Sequence, residues 1–165
     1  MNRELILRRR IKWLTWFFIT GLVLSGVTAI PLPTEVNWLA GHLDATVGSS
    51  VLGTWLLRVR GALNDTAQHQ SFLFYGTDWL AFGHLMIAIA FVGALRDPVR
   101  NRWLFDFGLI ACGLVIPFAM VMGSLRGIPF WWRMIDCSFG VGGSVPLWFC
   151  RKWAGELERS LKPPA

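Results

Sequence analysis

Four apolar runs constrain this chain more than any other feature. They fall at residues 13–31, 72–95, 103–123 and 128–150, and each is close to or above the roughly 20 residues an α-helix needs to cross a hydrocarbon core of about 30 Å. Hydrocarbon offers no partner to a peptide group, so a crossing segment must satisfy its own backbone, which a helix does locally. Composition points the same way: 54% hydrophobic residues against 16% charged, with ten Trp, lies outside the range of a water-soluble domain. The expected fold is an all-α membrane protein, a four-transmembrane-helix bundle. It forms a single integral membrane domain over residues 1–165, with residues 34–71 as an outer segment and 151–165 as a cytoplasmic tail.

Arg8, Arg9, Arg10 and Lys12 ahead of the first run imitate a secretory leader. The run ends on Pro31-Leu32-Pro33 with no small-x-small cleavage pattern, so a retained helix is expected.

Lys and Arg then set the orientation, because cytoplasmic ends keep them and short translocated loops carry few. With both termini inside, the N-terminal segment holds five, the loop from Arg96 to Arg102 three and the tail, including Lys162, four; the outer segments hold only Arg58, Arg60, Arg126 and Arg133. Twelve cations against four place both termini in the cytoplasm, and the small inside-positive layout suggests a bacterial inner membrane. The same split accounts for the net charge of +6 without nucleic acid. Membrane lipid, anionic at the inner surface, is the partner such clusters suit. Indole placement agrees: Trp13, Trp16, Trp103, Trp148 and Trp153 mark an inner belt, and Trp38, Trp79, Trp131 and Trp132 an outer one. These rings are read as anchors rather than ligand groups.

Asp97-Pro98 is read as an N-cap followed by proline at the first helical position of the third span. Asp106, four residues after Arg102, is expected to pair with it or to snorkel. In the outer segment, Val36, Leu39, Ala40 and Leu43 recur at helical spacing after a Thr34 cap, and Leu52, Trp55, Leu56, Val59 and Leu63 do the same. One or two short amphipathic helices, on the membrane surface or over the bundle mouth, are expected there. Small residues supply packing faces: Gly21, Ser25 and Thr28 on the first span, Thr77, Ala81, His84 and Ala88 on the second, Gly140 and Gly143 beside Asp136 on the fourth.

Asp136 is the anomaly of the last run, since a carboxylate at membrane depth must be paired, protonated or functional. Glu35, Asp78, Arg126 and Arg133 are the charges expected at similar depth in the outer half. Three carboxylates and two guanidiniums can form a nearly neutral ion-pair network or hold a small polar or anionic ligand. His84 lies deeper on the small-residue side of the second span, where imidazole suits a proton relay with Asp78 and Asp136 or a plain interhelical hydrogen bond.

No metal or cofactor is expected. Cys112 and Cys137 share the depth of His84 but come from separate spans without CxxC spacing, and a b-type haem needs a second intramembrane His. His42 and His69 stand in the outer segment without ligand spacing, and nucleotide-binding and nucleophile-elbow motifs are missing. With no catalytic residue singled out, the expected function is that of a small accessory subunit, or a binder of lipid or a small ligand, with its polar site opening outward. Four short helices bury little surface, so a homo-oligomer or a larger membrane complex is expected. The competing expectation is a membrane enzyme or proton-coupled carrier using Asp78, His84 and Asp136.

Overall fold

The computed structural model describes residues 3–47 and 50–161, and the side chains of all of these except 43–47. Among them every regular element is helical, in the order α1 (Arg3–Ala29), α2 (Leu32–Val47), α3 (Val51–His69), a 3₁₀ turn (Ser71–Phe74), α4 (Tyr75–Arg96), α5 (Arg102–Leu125) and α6 (Phe130–Leu161). Three helices among the described residues are long and apolar enough to cross a membrane: Arg3–Ala29, the continuous stretch Ser71–Arg96, and Arg102–Leu125. The fourth expected run, 128–150, lies in α6, where Trp131-Trp132-Arg133, Asp136 and three glycines dilute its apolar character, and α6 is not among those three. The Leu43 side chain and residues 162–165, with Lys162, lie outside the described residues.

The boundaries follow from capping chemistry. α5 ends in a Schellman motif: Ile128 N–H donates to the Gly123 carbonyl at 2.8 Å and Gly127 N–H to the Ser124 carbonyl at 3.2 Å, with Gly127 at φ 68°. Pro129 then opens α6, its carbonyl accepting from the Trp132 and Arg133 amides at 3.1 Å each. The Ser50 hydroxyl caps α3 by accepting from Gly53 N–H at 3.0 Å.

Two expected caps are corrected. Asp97 does cap, accepting from the Val99 and Arg100 amides at 3.1 and 3.0 Å, but the turn it closes is not α5, which starts at Arg102. Asn101 breaks the helix there, since its side-chain amide donates back to the Gly93 and Asp97 carbonyls at 3.0 Å each. Thr34 does not cap α2, which begins at Leu32 and takes Pro33 into its first turn, where a missing N–H leaves nothing unsatisfied.

The chain divides into two units. The first comprises residues 1–21 and 88–165, so four helical segments contribute to it: the start of α1, the end of α4, α5 and α6. Its core is almost wholly apolar. Leu7, Ile11, Thr15 and Ile19 of α1, at successive four-residue intervals, are buried with Phe91 of α4, Leu104 and Phe105 of α5, and Leu147, Cys150, Ala154 and Leu157 of α6. Phe91 joins the segments through rings centred 4.8 Å from Phe18 and 6.4 Å from Phe105. Small residues let the helices close. A Cβ at Gly140 would stand 2.5 Å from the Cys112 carbonyl oxygen, and one at Gly108 2.7 Å from Leu147 Cδ1.

The second unit, residues 22–87, holds the end of α1, α2, α3, the 3₁₀ turn and the start of α4. Here Gly26 is the close-approach position, its missing Cβ 3.0 Å from the Ala81 carbonyl oxygen and 3.1 Å from His84 Cβ, whereas nothing lies within 4 Å of Gly21. The contact face of α1 is thus rotated from the expected one. Ala40, Leu56 and Ala81 are buried within this unit.

Candidate functional site

The six expected site residues divide between the units: Arg126, Arg133 and Asp136 in the first, Glu35, Asp78 and His84 in the second.

In the first unit the α5–α6 hairpin builds a seat for Arg133. Gly123 provides it, because a Cβ there would fall 2.5 Å from Arg133 Cδ and 2.6 Å from Cγ; without one, the arginine stem lies on the α5 backbone. Nη1 donates to the Ser124 hydroxyl and, at 3.3 Å, to the Met120 carbonyl, and the guanidinium carbon stands 5.4 Å from the Phe130 ring centre. Of the five N–H groups of the fork, Nε is buried without an acceptor and Nη2 makes no hydrogen bond among the described residues. Asp136 follows three residues later, so helical spacing puts it on the same side of α6. It is half-buried and has no ion pair or hydrogen bond among the described residues, and the Arg126 side chain, exposed at the end of α5, has none either. Arg133 is therefore held by neutral groups and not by Asp136, the one expected carboxylate of its unit.

In the second unit, His84 Nδ1 lies 2.8 Å from the Leu80 carbonyl one turn back. A carbonyl only accepts, so Nδ1 carries the proton in this contact, and in the neutral ring Nε2 then presents a lone pair. Asp78 is exposed in the first turn of α4 and Glu35 half-buried in the first turn of α2, where the helix dipole favours a carboxylate. No hydrogen bond or ion pair joins Glu35, Asp78 and His84 to one another among the described residues.

Polar contacts that spacing could not foretell dominate elsewhere. Asn37 of α2 is the hub of a clasp to α3: its Oδ1 accepts from Arg60 Nε at 2.9 Å and Asn64 Nδ2 at 3.1 Å, and its Nδ2 donates to Asn64 Oδ1 at 2.8 Å. At the end of the first unit that carries the N-terminus, Arg3 pairs with Glu156 at 3.3 Å and Arg102 with Glu158 at 3.4 Å. Asp106 pairs with Arg151 of α6, which corrects the expected partner Arg102. The sequence mixes cations and carboxylates through residues 151–159, but nothing in it names Arg151 as the partner. Arg10 and Lys152 sit over the Trp153 and Trp148 rings, at 5.5 and 5.4 Å.

The cysteines serve packing. Cys150 Sγ is buried 3.7 Å from both Thr15 Oγ1 and the Ile11 carbonyl, and Cys137 Sγ lies 3.9 Å from the Ile116 carbonyl. Among the described residues no three His, Cys, Asp or Glu side chains converge as a metal site would need. Comparison with protein-family models, curated proteins and solved structures finds no match to this chain.

Proposed function

We propose that this chain is a small non-catalytic membrane component that binds a polar ligand or lipid headgroup at Arg133 and Asp136. The observation that carries the reading is the contrast between a guanidinium fixed by Gly123, Ser124, Met120 and Phe130 and the unfilled Nη2 donors it keeps. A side chain built in so firmly is preorganised to receive an acceptor rather than free to retreat to water. Asp136, unpaired on the same side of α6, offers the complementary acceptor for a ligand donor.

On this reading α6 also crosses the bilayer through residues 130–150, as the fourth helix of the bundle, and both termini are cytoplasmic in a bacterial inner membrane. α2 and α3 are then amphipathic helices on the outer face. Assembly into a homo-oligomer or with a larger membrane partner covers lipid-facing surface that one copy leaves open. The test is native mass spectrometry of the full chain released from native nanodiscs. A retained small molecule or lipid that is lost in Arg133→Gln and weakened in Asp136→Asn supports the reading; equal retention by all three chains sinks it.

One observation favours a second reading, a proton-coupled carrier. His84 Nε2 is left as a proton acceptor by the Leu80 contact. If His84→Ala and Asp136→Asn insert normally yet abolish a proton flux in proteoliposomes, the carrier replaces the binder.

A further inference from the structure

A second polar site lies at the other end of the first unit. A cavity of about 290 Å³ opens between the start of α1 and the end of α4, with Ile11, Ala94 and Pro98 as its buried floor and Arg8, Arg9, Lys12 and Arg96 on its walls. Its lining carries four formal positive charges and no carboxylate. None of these four cations has an ion pair or hydrogen bond among the described residues.

Four of the carboxylates of the neighbourhood are engaged elsewhere. Glu156, Glu158 and Asp106 hold Arg3, Arg102 and Arg151, and Asp97, between Arg96 and Pro98, turns Oδ1 to the Val99 and Arg100 amides. Glu4, one turn before Arg8, forms no ion pair with it. Asn101 donates to the Gly93 and Asp97 carbonyls and so takes up two of the acceptors at and just beyond the end of α4 that would repel an anion.

We propose that this cavity binds the phosphate of an anionic phospholipid. The proposal rests on α1 and α4 crossing the membrane, because the cations then stand where both spans leave it. Trp13 and Trp16, 67% and 46% exposed, follow Lys12 within about one turn and mark the headgroup level from below. A cavity of this size seats one phosphodiester, and cationic clusters just beyond a span are suited to anionic headgroups. Lys supplies a point charge and the arginines forked donors, together enough to surround a phosphate from several sides.

The experiment uses the full chain in nanodiscs of phosphatidylcholine with increasing phosphatidylglycerol, reading bound lipid by native mass spectrometry. Lys12→Gln/Arg96→Gln lowers phosphatidylglycerol retention at least tenfold, whereas Arg3→Gln/Arg100→Gln, which removes the same charge at the same end but off the cavity, lowers it less than twofold. Equal losses in the two double variants, or none in either, overturn the proposal, since diffuse surface charge would then be all there is. Competition by millimolar inorganic phosphate, with no preference for phosphatidylglycerol over phosphatidylcholine, assigns the cavity to a soluble phosphate and overturns its lipid source. Alkaline extraction is run on every variant. A parent chain released by it fails the membrane reading itself, whereas a retained chain with indiscriminate lipid binding fails only this site.

Discussion

At Gly140 and Gly142, two residues apart on one helix, the same substitution should act in opposite directions. A methyl group at Gly140 meets the Cys112 main-chain carbonyl oxygen at 2.5 Å, and backbone cannot swing aside; Gly142 faces open space. Gly140→Ala should therefore destabilise the α5–α6 pair by roughly 1–3 kcal/mol through overpacking, and Gly142→Ala should be neutral or stabilising by up to about 1 kcal/mol through helix propensity. Thermal unfolding in detergent micelles separates them. Gly123→Ala belongs to the same scale but meets a side chain, Arg133, which can move. Its fold should survive while the Arg133 contacts to Ser124 and Met120 are lost, giving the same ligand retention as Arg133→Gln in native mass spectrometry. Which face of α6 is small could be read from Gly140 and Gly143, but on α1 the spacing indicated Gly21 where the contact is Gly26. Residues five apart lie 140° away from each other around a helix, and no local property tells which of the two directions holds the neighbour.

At the level of elements, turns are governed by backbone conformation that few residues adopt. Gly127 occupies φ 68° in the Schellman motif, so Gly127→Ala should cost about 1 kcal/mol and Gly127→Asn less, because Asn tolerates the left-handed region. Comparison of their unfolding midpoints checks the order. The α2–α3 hairpin depends instead on its clasp. Asn37→Leu removes three hydrogen bonds at a half-buried position and should loosen the pair by about 1–2 kcal/mol. Faster amide exchange confined to α2 and α3 is the expected readout, and unchanged exchange would show the clasp to be dispensable. Helices α2 and α3 themselves were legible, since helical spacing of apolar residues is a property of consecutive sequence. Their clasp was not, because Asn37 and Asn64 are 27 residues apart and neither carries a mark of the other.

At the scale of the whole molecule, the cation asymmetry makes a prediction about sidedness. A cysteine introduced at exposed Gly61 should react with a membrane-impermeant maleimide in intact cells above the background of the three native cysteines, two buried and one half-buried. Labelling only after permeabilisation would reverse the orientation and with it the assignment of inner and outer sites. By itself the sequence determined the helical class, two of the long apolar helices at nearly their observed bounds, the end of a third, and the helicity of most of residues 34–71. Apolar run length and helical periodicity are properties of consecutive residues, so the order of residues is enough to read them, whereas the helix starts expected at Asp97 and Thr34 were displaced by neighbouring backbone and side-chain contacts. Only the tertiary structure decided that Asp106 meets Arg151, that Arg133 rests on Gly123 between neutral groups, and that four cations of α1 and α4 face one cavity without a carboxylate. Those outcomes depend on how helices far apart in sequence are rotated and set against each other, and a long side chain takes the partner that rotation brings within reach.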